Sequence, residues 1–319
     1  MRFRPLVALS AAAVSVVLFA GCTGSPQPTD TTDTASPSAG ELCDAKLPSG
    51  AASDAVTADG AVGEAPKVTF SAPLEIEGIQ SSVLVEGDGD EVAEGDFAHV
   101  AFVGVDAETA TELGAVGYAE AEILPQQIGA GTGLGQFLGC ATVGTRVAVT
   151  LPADQASGTG AQVYVLDLLD VAPGAAWGDE QEPVDGMPAV ELADDGAPTV
   201  TIPEATAPTD LQISVLKKGD GPAVAAGDTT LLHYYGVDWE TGESFDSSWS
   251  RGAPYSIPGN QFVEGFVQAL AGQPVGSQVL VVIPPALGYG EAGSSDHELA
   301  GKTLVFVIDI LATQHAPAA

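Results

Sequence analysis

The chain has little positive charge. Its 319 residues include 9 lysines and arginines against 43 aspartates and glutamates, which gives a formal net charge of −34. Such a surface is repelled by phosphate backbones, so the composition argues against binding to nucleic acid. The same repulsion disfavours adhesion to anionic lipid head groups. The simplest role of this acidic surface is to keep an exported protein soluble.

The apolar run near the start is too short for a membrane helix. It covers residues 6–20, whereas a spanning helix needs roughly 20 apolar residues. Arg2 and Arg4 precede it, an arrangement typical of an export signal. With Cys22 directly after it, the segment resembles the bacterial lipobox, in which the cysteine is acylated and cleavage falls before it. We expect residues 1–21 to be a lipoprotein signal peptide. An ordinary signal peptide with a coincidental cysteine is the alternative.

Residues 23–40 contain no large apolar side chain. They cannot bury enough surface to offset the entropy of ordering the chain. We therefore expect residues 22–40 to be a disordered tether, with Cys22 as the lipidation site and the protein anchored to the outer side of the cell membrane. A flexible stretch of this length spans on the order of 25 Å.

Cysteine is scarce, with 3 residues in the chain. Once Cys22 is assigned to lipid, Cys43 and Cys140 remain, and an even pair in an exported protein is a disulfide candidate. Two unrelated thiols are the alternative. Neither cysteine lies in a CxxC or Cys/His cluster, so no metal site is predicted.

The sequence repeats itself at an offset of 132 residues. Residues 81–96 read SSVLVEGDGDEVAEGD, and residues 213–228 read ISVLKKGDGPAVAAGD. The register holds from about residue 63 to about residue 158, far beyond the period of solenoid repeats, which indicates two domains of one fold. The predicted domain boundaries are 41–172 for the first domain, 173–194 for an acidic linker and 195–319 for the second domain.

Both copies contain short segments rich in β-branched and aromatic residues, separated by glycine, proline and aspartate. In the second copy, QFVEGFVQALAG places Phe262, Phe266 and Leu270 on one face of a short helix, and Gly272 is positioned to end it. Several strands with one amphipathic helix predict an α+β domain, with an antiparallel sheet packed on that helix.

Four motifs in the second copy occur together: HYYG, FDSS, VGSQVLVVIPPALGYG and TLVFVIDIL. In order and spacing they resemble the FKBP family of peptidyl-prolyl cis-trans isomerases, the tacrolimus-binding immunophilins. The resemblance runs from about Ile213 to Leu311. It implies two FKBP-like domains, each an antiparallel half-barrel wrapped on a short helix.

The resemblance also implies the site residues. The predicted catalytic residues are Tyr234, Asp246, Tyr289 and Phe306, and the predicted substrate-binding residues are Phe245, Arg251, Tyr255, Phe262, Val263 and Phe266. Asp246 matches the carboxylate that orients the hydroxyl of Tyr234, and Tyr289 matches a hydroxyl donor to a substrate carbonyl. Aromatic side chains wall the prolyl pocket, while Phe262 and Val263 match a backbone-presenting pair.

Two positions depart from the family pattern. Phe266 stands where a tryptophan is usual at the pocket floor, and the tip loop has His297 and Glu298 where apolar residues often contact substrate. We interpret His233, by contrast, as a hydrogen-bonded histidine of the strand and not as a catalytic base.

An apolar pocket is what prolyl isomerisation needs. The amide resists rotation by about 18–20 kcal/mol because its C–N bond has double-bond character from a charge-separated resonance form. An aromatic-walled site disfavours that planar form and accepts the twisted, less polar amide. No nucleophile, cofactor or metal is required, and none is predicted.

The first copy lacks the same chemistry. Across the offset, the counterparts of Tyr234, Phe245, Asp246, Phe266 and Tyr289 are Phe102, Leu113, Gly114, Leu134 and Ser157. Tyr164, opposite Phe306, keeps an aromatic ring, Phe102 keeps a ring without the hydroxyl of Tyr234, and the loop after Ser157 is shorter. The first domain is therefore predicted to be a degenerate FKBP-like domain.

The predicted function is peptidyl-prolyl isomerisation that assists the folding of exported proteins, with the activity in the second domain. The predicted partners are proline-containing unfolded or exported polypeptides, and the resemblance implies macrolide binding as well. The alternative is a non-catalytic prolyl-peptide-binding chaperone module at the cell surface. A structural spacer suits only the first domain.

Overall fold

The structure is a computed structural model and describes residues 39–118, 123–154, 156–258 and 261–316. The predicted signal peptide, Cys22 and almost all of the predicted tether lie outside the described residues. Within the described ranges, no helix is both long enough and apolar enough to cross a membrane.

The first domain begins with two short helices and a hairpin: α1 (Ala39–Ala45), α2 (Ala51–Asp54), β1 (Thr57–Asp59) and β2 (Lys67–Thr69). Its sheet contains β3 (Gln80–Val85), β4 (Phe97–Asp106), β5 (Glu112–Val116), β6 (Gln126–Gln127), β7 (Arg146–Leu151) and β8 (Gln162–Val171). Helix α3 (Gly133–Leu138) lies between β6 and β7 in the chain. The strands pair antiparallel in the order β3-β7-β8-β4-β5, and β6 pairs with β4.

The second domain repeats this plan. It contains β9 (Asp179–Glu180), β10 (Ala189–Leu192), β11 (Pro198–Thr201), β12 (Gln212–Lys218), β13 (Thr229–Asp238), β14 (Ser244–Ser247), β15 (Tyr255–Pro258), α4 (Glu264–Leu270), β16 (Gln278–Ile283) and β17 (Leu304–Gln314). The antiparallel order is β14-β13-β17-β16-β12-β9, with β15 paired to β13. Because the main strands follow the same order in both sheets, the domains share one topology, and the predicted α+β class is confirmed.

Alternation along each strand divides the side chains between two faces of the sheet. In the second domain, Leu232 and Ile308 pack with Phe266 of α4 on one face. The opposite face is covered by the hairpin β10–β11, whose Val190 and Val200 pack in a second apolar cluster with strand residues such as Val305. In the first domain, the hairpin β1–β2 covers the equivalent face.

Residues 173–194 differ from their predicted role as a linker. Strand β9 pairs with β12, which places Glu180 opposite Lys217 and Asp179 opposite Lys218. Opposite charges across neighbouring strands stabilise such a pair. Strand β10 pairs with β11 and is the counterpart of β1 across the sequence repeat. Much of the predicted linker therefore belongs to the second domain, and its acidic composition concealed two short strands.

Cys43 and Cys140 are joined in a disulfide, with their Cα atoms 4.7 Å apart and a sequence separation of 97. The disulfide connects α1 to the residue that follows the C-cap of α3. The adjacent Leu42 is fully buried in the core beside Leu138. The segment that precedes the first sheet is thus fixed to the domain by a covalent bond and by apolar packing.

Candidate active site

Four aromatic side chains from four elements of the second domain meet beside α4: Tyr234 of β13, Phe245 of β14, Phe266 of α4 and Phe306 of β17. Their ring centroids lie 5.2 to 6.4 Å apart, mostly in edge-to-face arrangements. Such contacts stabilise aromatic clusters beyond simple burial. Gly236 allows the rings to approach, because a Cβ there would lie 2.6 Å from the ring of Phe245 and 3.0 Å from that of Phe306.

The floor of the cluster is a pair of stacked rings. Phe262 lies parallel to Phe266, with centroids 4.0 Å apart and planes 11° apart, and Phe266 is fully buried. Val263 is the N-cap residue of α4, and its carbonyl accepts a hydrogen bond of 3.0 Å from the N–H of Phe266. Phe266 therefore supplies an apolar ring at the position where the family pattern has the indole of a tryptophan.

An open pocket of about 370 Å³ lies against this cluster. It is lined by Tyr234, Arg251, Tyr255, Ile257, Gln261 and Phe262. Its volume is at the lower end of the range of about 300–1,000 Å³ typical of small-ligand sites. Ile257 and Gln261 were not among the predicted site residues. Ile257 reaches the pocket from β15, which pairs with β13, and Gln261 from the segment after that strand.

A polar network stands at one wall of the pocket. The hydroxyl of Tyr234 donates a 2.6 Å hydrogen bond to Oδ2 of Asp246. The guanidinium of Arg251 donates to the same hydroxyl at 2.6 Å and pairs with Oδ1 of Asp246. The three predicted side chains therefore form a closed triangle of hydrogen bonds, in which the ion pair fixes the orientation of the tyrosine hydroxyl.

The network changes the acidity of its members. Burial is the strongest single influence on the pKa of Asp246 and raises it, but hydrogen bonds from Tyr234 and Arg251 outweigh burial and hold that pKa below its ordinary value. Burial, reinforced by the neighbouring Asp246, raises the pKa of Tyr234 to about 12. Asp246 is therefore ionised and Tyr234 protonated at neutral pH, so the hydroxyl is a donor to the carboxylate.

Tyr289 lies on another side of the aromatic cluster. It is half-buried, packs against the core that contains Phe306, and follows the 3₁₀ turn Pro285–Leu287. Burial, with a smaller contribution from the charge of Asp246, raises the pKa of its hydroxyl. The ring of His297 stacks on that of Tyr289. Tyr289 does not line the pocket described above, so the two predicted hydroxyl groups address different parts of the site.

Sequence reasoning missed the support behind Tyr234. The Oγ of Ser248 accepts a 2.8 Å hydrogen bond from the backbone N–H of Tyr234 and lies 2.7 Å from Nδ1 of His233. The imidazole of His233 stacks on Trp249, with centroids 4.6 Å apart. Burial, assisted by the charge of Arg251, lowers the pKa of His233 to about 4. His233 is thus a neutral, hydrogen-bonded strand residue, as predicted. The register of the β13–β14 hairpin could have indicated Ser248.

Among its described residues, the first domain has no equivalent polar network at the matching positions. Phe102 and Tyr164 meet edge-to-face at 5.8 Å, but the Tyr164 hydroxyl donates to Gln162 on its own strand. Ser157 donates to Asp154 within its own loop. Gly114 offers no carboxylate, so Phe102 has neither a hydroxyl nor an acceptor to orient it.

Comparison with known proteins identifies a family for the second domain. Residues 221–311 match the family described as FKBP-type peptidyl-prolyl cis-trans isomerase. A probable FK506-binding protein of Corynebacterium glutamicum is 43% identical over 114 residues, which cover 36% of this chain and 96% of that protein. An FK506-binding protein of Streptomyces anulatus is 41% identical over 118 residues, covering 36% of this chain and 95% of that protein. The crystal structure of FkpA from Escherichia coli is 28% identical, covers 42% of this chain and 54% of that chain, and has a TM-score of 0.32.

The chain belongs to the FKBP family, and its C-terminal region is an FKBP-type peptidyl-prolyl cis-trans isomerase domain. The predicted enzyme class is confirmed. The matched residues include β13, β14, α4 and β17, which supply the four aromatic side chains of the cluster.

Proposed function

We propose that the second domain isomerises prolyl bonds in exported polypeptides outside the cell membrane, and that its aromatic pocket supplies the catalysis. Uncatalysed exchange at proline takes tens to hundreds of seconds, which is long enough to limit folding. Binding that favours the twisted amide over either planar form lowers the barrier without covalent chemistry. The observation that carries this proposal is the aromatic cluster closed on one side by the Tyr234–Asp246–Arg251 triangle.

The polar groups have separate roles in this proposal. Asp246 and Arg251 hold Tyr234 so that its ring forms a rigid wall of the pocket. A fixed wall selects one substrate geometry without the entropy cost of ordering a free side chain. The hydroxyl of Tyr289 donates to a carbonyl of the bound polypeptide. Phe262 lines the pocket, and with Val263 it places the start of α4 beside that pocket.

The location is part of the same proposal. Arg2, Arg4 and the apolar run before Cys22 support export and lipidation, and the acidic surface supports a soluble domain held near an anionic membrane without adhering to it. The disulfide between Cys43 and Cys140 is consistent with an oxidising compartment. The clients are then unfolded polypeptides that emerge on the outer side of that membrane.

The first domain positions the second and contributes weak client binding. Phe97 and Leu124 of the first domain pack in one apolar cluster with Leu231 and Leu311 of the second. Leu113, on the degenerate side, is 43% exposed and offers apolar surface without directed polar groups. This surface favours a non-catalytic peptide-holding role for the first domain.

We also propose macrolide binding by the second domain. Two relatives match this chain over most of their own length, and they are named a probable FK506-binding protein and an FK506-binding protein. The aromatic walls and the open pocket offer apolar contact area of the kind such ligands require. A competitive macrolide should then inhibit isomerisation by this chain.

A protease-free assay of prolyl isomerisation on the full chain tests the function. Substituting Phe245→Leu and Asp246→Gly together gives the second domain the residue types of the first. This double variant should lose most of the catalysed rate, whereas Leu113→Phe in the first domain should leave the rate unchanged. Turnover of excess peptide by the wild-type chain distinguishes an enzyme from a peptide-binding module. If Leu113→Phe changed the rate and the double variant did not, the activity would belong to the first domain and the proposal would be wrong.

A further inference from the structure

The loop after Tyr289 folds back so that His297 covers the ring of Tyr289. The two ring centroids lie 3.7 Å apart, and the planes are 5° from parallel. This is the shortest ring-to-ring distance among the described residues. His297 is otherwise exposed, and Glu298 next to it is exposed too, so the stack forms at the outer edge of the site and not in the core.

His297 is held by its own loop in the position that makes this stack. Its Nδ1 accepts a 3.2 Å hydrogen bond from the N–H of Leu299, and its carbonyl accepts a 3.0 Å hydrogen bond from the N–H of Ala300. On the other side, Ser295 donates its hydroxyl to the carbonyl of Tyr289 at 3.3 Å. The loop thus closes on Tyr289 at both its backbone and its ring.

The two hydroxyl groups of the site are restrained in different ways. The hydroxyl of Tyr234 is fixed by hydrogen bonds with Asp246 and Arg251. Within the described part of the chain, the hydroxyl of Tyr289 has no hydrogen-bond partner of its own. It is therefore available to a ligand, but its direction depends entirely on contacts to the ring. The apolar cluster supplies those contacts on one side, and His297 supplies them on the other.

We propose that His297 is a positioning residue that holds the Tyr289 hydroxyl in the direction needed to donate to a carbonyl of the bound prolyl polypeptide. The inference rests on the donor role proposed for Tyr289. A stacked plate removes rotational freedom from a tyrosine that would otherwise have one face in water, so less ordering is required when substrate binds. The contribution of His297 is its flat ring, and any aromatic plate of similar size replaces it.

A double-mutant cycle on the full chain tests this coupling. The variants are Tyr289→Phe, His297→Ala, the combination of both, and His297→Phe, and the measurement is kcat/KM for an Xaa-Pro peptide. His297→Ala should lower kcat/KM about 5- to 10-fold in the wild-type background and should have no further effect in the Tyr289→Phe background. His297→Phe should remain within about twofold of wild type because it keeps the plate.

His315→Ala is the matched control, since His315 is an exposed histidine of the same domain that pairs with Asp228 away from the pocket. Equal losses from His297→Ala in both backgrounds would overturn the coupling while leaving the donor role of Tyr289 intact. No loss from Tyr289→Phe would remove that donor role itself, and the inference about His297 with it. A His297→Phe variant as slow as His297→Ala would show that the plate is not the contribution.

Discussion

Asp167 and Asp309 occupy equivalent positions on the last strands of the two domains, and each holds the chain segment that precedes its sheet. Oδ2 of Asp167 accepts a 2.9 Å hydrogen bond from the N–H of Gly63, and Oδ2 of Asp309 accepts one of 2.8 Å from the N–H of Ala176. Both carboxylates are fully buried. Each domain therefore uses its own buried aspartate to hold the segment that precedes its sheet.

The second partner of each acid differs. Arg146 binds Asp167 through two nitrogens and also donates to three carbonyls in the turn between β1 and β2. Gln278, at the matching position, donates to Asp309 at 2.8 Å. Asp167 is thus in a buried ion pair, whereas Asp309 is buried with neutral direct partners. The hydrogen bonds that Arg146 donates to Asp167 are the main reason that the pKa of Arg146 is raised.

Replacing each acid by asparagine should therefore change the free energy of unfolding by very different amounts. Asp167→Asn leaves the Arg146 charge buried without its counter-ion, a change that typically costs about 3–5 kcal/mol. Asp309→Asn removes a buried charge that has no direct cation, and Gln278 can turn its amide to suit the new partner. We expect Asp309→Asn to change the free energy of unfolding by no more than about 1 kcal/mol. Denaturant unfolding of the full chain measures both, and similar losses in the two variants would contradict this difference.

Burial raises the pKa of Asp309, which gives a pH dependence of known sign. The folded state holds this proton more tightly than the unfolded state does, so the stabilisation is present in acid and is lost as the pH rises through the raised pKa. Asp309→Asn should remove that decline. An unchanged pH profile of unfolding in this variant would show that Asp309 does not titrate in the folded protein.

Asp246 should affect turnover more than stability, because its side chain is 41% exposed. Asp246→Ala removes the charged acceptor that orients Tyr234, and we expect kcat/KM to fall roughly 10- to 100-fold, by analogy with the loss of about 1.5–3 kcal/mol for a hydrogen bond to a charged group. Because the pKa of Asp246 is lowered, the wild-type rate should not fall as the pH decreases from 7 to about 5. The exposed Glu243→Gln is the control. A rate equal to that of wild type in Asp246→Ala would refute the orienting role.

His233 should make the second domain sensitive to acid. Its pKa is lowered from 6.5 to about 4, so the folded state excludes a proton that the unfolded state accepts. The stability is present above pH 6.5 and is lost as the pH falls from there to about 4, by at most about 3 kcal/mol. His233→Gln should flatten this interval, as followed by unfolding at a series of pH values. If His233→Gln lost stability in acid as steeply as wild type, a group other than His233 would cause the loss.

The disulfide should stabilise the first domain and leave catalysis alone. Closing a loop with a sequence separation of 97 residues contributes up to about 4–5 kcal/mol in the chain-entropy model. The double variant Cys43→Ser/Cys140→Ser should therefore unfold at lower temperature, with the same isomerase rate as wild type. Mass spectrometry of the folded protein should find neither thiol free. Two free thiols would contradict the cross-link.

Cys22→Ala should release the protein from the membrane fraction. The proposed anchor is a lipid on Cys22, and the net charge of −34 disfavours adhesion to anionic head groups. Fractionation and intact-mass measurement check this, with Cys43→Ser as a control that keeps the anchor. A Cys22→Ala protein that stays membrane-bound at unchanged mass would refute the lipoprotein proposal.

The sequence predicted what the repeat and the family motifs specify. The α+β class, the antiparallel sheets and the helix that carries Phe266 follow from strand patterning and the spacing of apolar residues. The Tyr234–Asp246 contact followed from resemblance. Ser248 and His297 were not assigned as partners of the two tyrosines, because their contacts depend on hairpin register and on the path of a loop of unusual composition.

Strands β9 and β10 were missed for a related reason. A strand of two acidic residues has no apolar alternation, and Asp179–Glu180 is recognisable only through its pairing with Lys217 and Lys218 of β12. Ala189–Leu192 is weakly apolar and is recognisable only through its pairing with β11. Local composition therefore suggested a linker where cross-strand partners decide the structure.

The hairpin β10–β11 has a practical consequence for anyone who cuts this chain. A fragment that starts at residue 195 loses β10 and leaves β11 without its partner, so Val305 and Val307 lose the part of their apolar cover that Val190 supplies. It also loses Ala176, the donor to Asp309. Such a fragment would be prone to aggregate through a partly uncovered sheet, and its inactivity would reflect the cut and not the chemistry. The smallest faithful catalytic piece therefore begins near residue 173, upstream of the segment that sequence composition would discard.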